Sequence, residues 1–372
     1  MLSHMSVYTC LAGARRTAAL VGLVAAAALL SGTPADAAGR ATHGHPHLLP
    51  TVQAATAAQG TATATSSNTL VYHGGPVITG KAKVYLIFWG TQWGTVSTDS
   101  NGNLKFGNDT AGAAGRVQQL VKGLGTGGEQ WSGVLTQYCS GVPSLSTSCP
   151  SGTVAHIRYP TGGGTLAGVW YDNRAAAPRT ASEPQIGQEA VNAAGHFGNT
   201  TTTSNQNTQY VIFSAKGTDP DSYQANGFCA WHDSNGDLGV SSPYGDIALT
   251  NLPYLLDVGA SCGENFVNAG TAGSLDGFSI VEGHEYAETL TDPDPFTGWV
   301  SGNISTGQRE NADECAWISS GQGAAANVQI VASPQALPRL YPTTNNLKWR
   351  GAGYNPRWPA LGHNLPSFCG LL

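Results

Sequence analysis

The stretch Ser274-Leu-Asp-Gly-Phe-Ser-Ile-Val-Glu-Gly-His-Glu-Tyr-Ala-Glu-Thr-Leu-Thr-Asp-Pro293 decides how the chain is read. Its centre, His284-Glu285-Tyr286-Ala287-Glu288, is an H-E-x-x-E cluster. On a helix, His284 and Glu288 stand one turn apart and point the same way. H-E-x-x-H presents two metal ligands and a general base by the same geometry; here a carboxylate replaces the second imidazole. Ser274 or Asp276 is the expected N-cap, residues 278–290 hold no proline, and Pro293 ends the helix.

A catalytic zinc ion wants three protein ligands and one open position. His284 and Glu288 supply two. In the gluzincin group of zinc enzymes the third ligand is a glutamate roughly twenty residues further on. Glu310, 22 residues after Glu288, fits that spacing. Asp313 and Glu314 are the alternatives, as third ligand or as acceptors that orient His284. Glu285 is then the general base that takes a proton from metal-bound water. His232, in Cys229-Ala-Trp-His232, is a candidate to stabilise the developing oxyanion. One histidine with two carboxylates is a hard donor set, so manganese or calcium stands beside zinc as the expected ion.

The start of the chain reads as an export signal over residues 1–37. Arg15-Arg16 carries positive charge, 18–30 is apolar, and Ala35-Asp36-Ala37 is a small-x-small cleavage site. Residues 38–68, rich in Ala, Thr, Ser and Gln, read as a disordered linker or pro-segment. The remaining 69–372 read as one domain. Once Cys10 leaves with the signal, six cysteines remain, an even number that suits disulfides in an oxidising compartment. Sequential pairing gives 139–149, 229–262 and 315–369. A net charge of −6 and a charged fraction of 11% speak against nucleic acid and anionic membranes as partners.

Within the domain, Ala82–Trp89 is an almost unbroken apolar run between glycines, as expected of a buried central strand. Further strands are expected at 134–138, 154–159, 168–171 and 209–214. Helices are expected at 111–124, 183–197 and, after the motif, 309–317. Asp233-Ser-Asn-Gly-Asp237 begins like a calcium loop, but Leu238 stands where that loop needs glycine, so a turn is expected. The fold class is therefore α+β: a single disulfide-bonded domain with a mixed sheet and a zincin-like active-site helix. No G-x-S-x-G elbow, P-loop or dinucleotide fingerprint is present.

Several segments together resemble the Exordium/phosphate-induced protein family. They are Tyr72-His-Gly-Gly-Pro-Val-Ile-Thr-Gly80 with Val84-Tyr-Leu-Ile-Phe-Trp-Gly90, Gly227-Phe-Cys-Ala-Trp-His232, Gly283–Pro293, and Glu310-Asn-Ala-Asp-Glu-Cys315. The likeness runs from about residue 70 to about residue 320. The family's His-Glu-Leu-Ala-Glu block falls on His284–Glu288, with Tyr286 in place of leucine. The resemblance implies an extracellular, disulfide-bonded protein of the kind linked in plants to growth and the cell wall. It implies no particular reaction.

The expected function is thus that of a secreted, monomeric metal-dependent hydrolase, most simply a metallopeptidase acting on a polypeptide. The alternative is a non-enzymatic, cell-wall-associated Exordium-like protein in which the same cluster holds a structural ion.

Overall fold

Val84, Leu86 and Phe88 point to one side of a strand while Tyr85 and Ile87 point to the other, and all five are buried. A strand apolar on both faces has to lie inside a sheet covered on both sides. In the computed structural model, the apolar run at 82–89 does form such a strand, β3 (Lys83–Trp89). The structure describes residues 47–59, 70–126, 131–150, 152–161, 164–266, 268–301, 310–313 and 316–317. β3 lies between β8 (Leu166–Asp172) and β9 (Thr208–Ser214) and runs parallel to both. β11 (Ala248–Leu252) adds in parallel beyond β9. β10 (Phe228–Ser234) and β1 (His47–Pro50) follow in antiparallel fashion. The six-stranded mixed sheet has the order β1-β10-β11-β9-β3-β8.

Parallel neighbours need crossover connections. α3 (Glu183–His196) supplies the one from β8 to β9 and packs on the Tyr85/Ile87 face with Tyr210 and Ile212. A capping box at Ser182 and Gln185 starts it. The opposite face carries α2 (Ala113–Gly123) and the motif helix α6 (Asp276–Thr291), whose Phe278 and Ile280 join Leu86, Phe88, Val211 and Phe213. Full burial of each such side chain contributes about 1.5–3 kcal/mol. Three small ribbons complete the strands: β2 (Leu70–Tyr72) with β12 (Trp299–Ser301), β4 (Val96–Thr98) with β5 (Leu104–Phe106), and β6 (Cys139–Ser140) with β7 (Ala155–His156). α1 (Val52–Gln59) follows β1, and α4 (Thr202–Asn205) and α5 (Tyr223–Asn226) are single turns before β9 and β10.

Three expectations need correction. Residues 47–59, which composition reads as disordered linker, are a strand and a helix. Leu48 and Leu49 pair with Trp231 and Ala230, Leu49 is buried, and the Pro50 carbonyl accepts a hydrogen bond from Trp317 Nε1 at 2.6 Å. The stretch at 134–138 belongs largely to a 3-10 helix (Trp131–Gln137), in which the Thr136 hydroxyl donates to the Gly133 carbonyl. The strand expected at 154–159 shrinks to the two residues of β7. Of the helix expected at 309–317, the described residues show a turn at 311–312 and a 3-10 position at Asp313, and residues 309, 314 and 315 lie outside the described residues.

Cys139 pairs with Cys149 and Cys229 with Cys262, as sequential pairing expects. Cys315 and Cys369 lie outside the described residues, as do the signal region and the rest of the linker, 38–46 and 60–68. No helix among the described residues is long and apolar enough to cross a membrane.

Candidate metal centre

All sixteen residues of α6 are buried, although they include Asp276, Glu282, His284, Glu285 and Glu288. Neither expected residue caps the helix. Leu275 holds the cap position, and Asp276 instead accepts hydrogen bonds from the Asn268 backbone N–H (2.7 Å) and Nδ2 (3.0 Å). Gly277 lies so close to the Cys262 carbonyl that a Cβ there would approach its oxygen to 2.1 Å. The Cys229–Cys262 disulfide therefore joins β10 to the segment on which α6 begins. A second polar pin lies nearer the helix end, where Gln209 Nε2 donates to Thr250 Oγ1 (2.8 Å) and Thr289 Oγ1 (3.3 Å).

With helix and sheet so fixed, α6 turns three side chains of its motif toward β10 and the 310–313 turn. His284 Nε2 lies 3.0 Å from Glu288 Oε1 and 3.6 Å from Asp313 Oδ1. Donor atoms of His284, Glu288 and Asp313 all fall within 4.8 Å of one another. Glu288 Oε1 also accepts the Asp313 backbone N–H at 3.0 Å, which draws the turn onto the helix. The other oxygen of Glu288 faces inward, with Oε2 3.6 Å from His232 Nδ1. Glu285 Oε2 lies 3.3 Å from that same nitrogen. His232, Glu285 and Glu288 form a second group of donors within 4.8 Å of one another.

Glu310 belongs to neither group. It is fully buried, and its Oε1 lies 3.4 Å from His232 Nε2. The structure thus brings Asp313, one of the two alternatives, to His284 and sets Glu310 against His232. Glu310 and Asp313, three residues apart, reach different histidines. Glu314 lies outside the described residues.

Asp292 is a participant that sequence reasoning did not single out. Its carbonyl accepts from His232 Nε2 at 3.1 Å. Its carboxylate gathers the backbone N–H groups of Phe296 (2.7 Å), Thr297 (3.2 Å) and Gly298 (2.6 Å). The signal available was its place as the last polar residue before Pro293.

The electrostatics follow from burial. Desolvation disfavours a charged His232, but Glu310, Glu285 and Glu288 more than offset it, so its pKa stands well above the ordinary imidazole value. Burial pushes Glu285 up to about 7, with His232 and His284 holding it back. Glu282, buried beside Glu285, is pushed well up, and neither of its oxygens has a hydrogen-bond partner. Asp292 is raised by burial and then by Glu310, against the pull of its backbone donors.

Each of the two groups offers one imidazole and two carboxylates that could hold a metal ion. The Asp233–Asp237 segment is a turn, as expected. Asn235 caps it through Nδ2 to the Val240 carbonyl and Oδ1 from the Ile247 N–H. No protein-family model, curated protein or solved structure matches the chain.

Proposed function

We propose that the chain is an exported metal-dependent hydrolase of metallopeptidase type, whose cation is held by His284, Glu288 and Asp313. The convergence of these three donors on one point within 4.8 Å carries the reading. The two disulfides suit an oxidising compartment, and the resemblance to the Exordium family suits an extracellular setting. A divalent cation there would supply Lewis acidity and make an attacking water easier to deprotonate. Glu285 lies on the same helix and is pushed up to about 7, a value that suits a proton acceptor near neutral pH. His232 holds that carboxylate in place through Nδ1. A polypeptide is the substrate class this motif serves.

A second reading has its own support. The donors are almost wholly enclosed by protein, His284 being 3% and Asp313 9% exposed, and closed sites are typical of structural ions. In that case the protein is a non-enzymatic cell-wall or extracellular component.

Metal analysis with two variants separates the readings. His284→Ala is expected to lose bound metal together with hydrolysis of an unstructured polypeptide. Glu285→Gln is expected to keep the ion held by His284, Glu288 and Asp313 while activity falls by about 100-fold or more. Metal retained in a wild type as inert as Glu285→Gln would leave the structural reading standing, and a wild type without metal would end both.

A further inference from the structure

We propose that a second divalent cation binds inboard of the first, between His232 Nδ1, Glu285 and Glu288, so that Glu288 serves one ion with each of its oxygens. The inference rests on the outer site proposed above and deepens it into a two-cation centre.

Three observations carry it. The first is the way Glu288 is shared. Oε1 faces His284 at 3.0 Å and Oε2 faces His232 at 3.6 Å, so one carboxylate joins two donor groups that are otherwise separate. Two-metal hydrolases place their ions about 3.5–4 Å apart, a span that one carboxylate bridges.

The second observation is the setting of His232. Nε2 faces two acceptors, the Asp292 carbonyl at 3.1 Å and Glu310 Oε1 at 3.4 Å. That nitrogen therefore carries a proton. A histidine that ligates a metal almost always donates its far N–H to a carbonyl or carboxylate in this way, which fixes the tautomer and turns the other nitrogen to the ion. Nδ1, which faces Glu285 Oε2 and Glu288 Oε2, holds a proton in the metal-free protein and gives it up to the ion that takes its place.

The third observation is an orphan. Glu285 is 0% exposed, and its Oε1 has no hydrogen-bond partner. A buried acceptor left without a donor costs about 1–3 kcal/mol. An ion held by Oε2, with its water on Oε1, removes that cost and keeps Glu285 in reach of the proton it is proposed to accept.

The donor chemistry selects zinc or manganese for both positions.

The test counts ions in the intact protein. After loading with manganese and removal of excess, the wild type is expected to retain two equivalents per chain. Its electron paramagnetic resonance spectrum should show the broadened signal of an exchange-coupled pair, not the six lines of isolated ions. His232→Asn should retain one equivalent and recover the six-line signal, and Asp313→Asn should do likewise. A wild type that holds one equivalent, lost in Asp313→Asn and kept in His232→Asn, overturns the inner ion and leaves the outer site standing. One equivalent with the reverse pattern overturns the pair and the proposed outer site together, as does a wild type that holds none. The count and the spectrum of the wild type decide the matter even where a variant fails to fold.

Discussion

Two helices cover opposite faces of the sheet, and they handle carboxylates in opposite ways. α3 buries Ile186, Ala190, Val191, Ala193 and Ala194 against the sheet and leaves Gln185, Gln188 and His196 in water. It keeps one carboxylate out of water, Glu189, which leans on Asn192 Nδ2 at 3.0 Å and lies 3.9 Å from Arg174. Arg174 itself is 63% exposed and pairs with Asp172 at 2.7 Å. α6 has no wet face. It sets Glu282, Glu285 and Glu288 on the inside, with a histidine beside Glu285 and another beside Glu288. α3 is thus a packing element with one awkward acid, whereas α6 is a packing element given over to donors. Stability alone gives no reason to place three glutamates on a wholly buried helix, since apolar residues of the same volume would be neutral or better.

The largest effect expected from breaking this contrast is at Glu288. Glu288→Ala leaves His284 and His232 facing one another's remaining acids and should destabilise the fold by about 3–5 kcal/mol, as removal of one partner from a buried ion pair does. Denaturant unfolding would measure it. Divalent metal that raises the melting temperature of the wild type should leave the variant unmoved.

Next in size is Leu49→Ala in β1. Leu49 is 1% exposed against Ala230, so about 2–5 kcal/mol should be lost. A loss within about 0.5 kcal/mol would mean that residues 47–50 are not part of the folded core.

The smallest effect sharpens the α3 side. Burial pushes Glu189 up to about 8, so the folded chain keeps a proton that the unfolded chain releases near its ordinary value of 4.5. The native state binds more protons across that window, and its stability falls as pH rises from about 4.5 through about 8. Glu189→Gln should flatten this slope, with little difference from the wild type at pH 4 and a gain that grows toward pH 8. Equal pH profiles for the two proteins would show that Glu189 is ionised in the fold.

The features legible in the sequence are those fixed by neighbours along the chain. The apolar run of β3, the period of α3, the one-turn spacing of His284 and Glu288, and the pairing of Cys139 with Cys149 are all local. The approach of His232 to Glu285, across 53 residues, came only as a candidate role without a partner. The 22-residue spacing pointed to Glu310, whereas the structure sets Asp313, the alternative, beside His284 and Glu310 beside His232. β1 was lost as well. Four residues with an unremarkable composition become ordered only because β10 offers them an edge.

That edge has a consequence for how the molecule behaves in company. A strand whose outer N–H and C=O groups are unpaired is a template for another chain. Without β1, the open edge would be the strand that carries His232. The pairing of His47–Pro50 along Phe228–His232 covers that edge. Light scattering from a chain that begins after residue 50 should show it assembling end on end through β10, and a strictly monomeric product would show that the edge needs no cover.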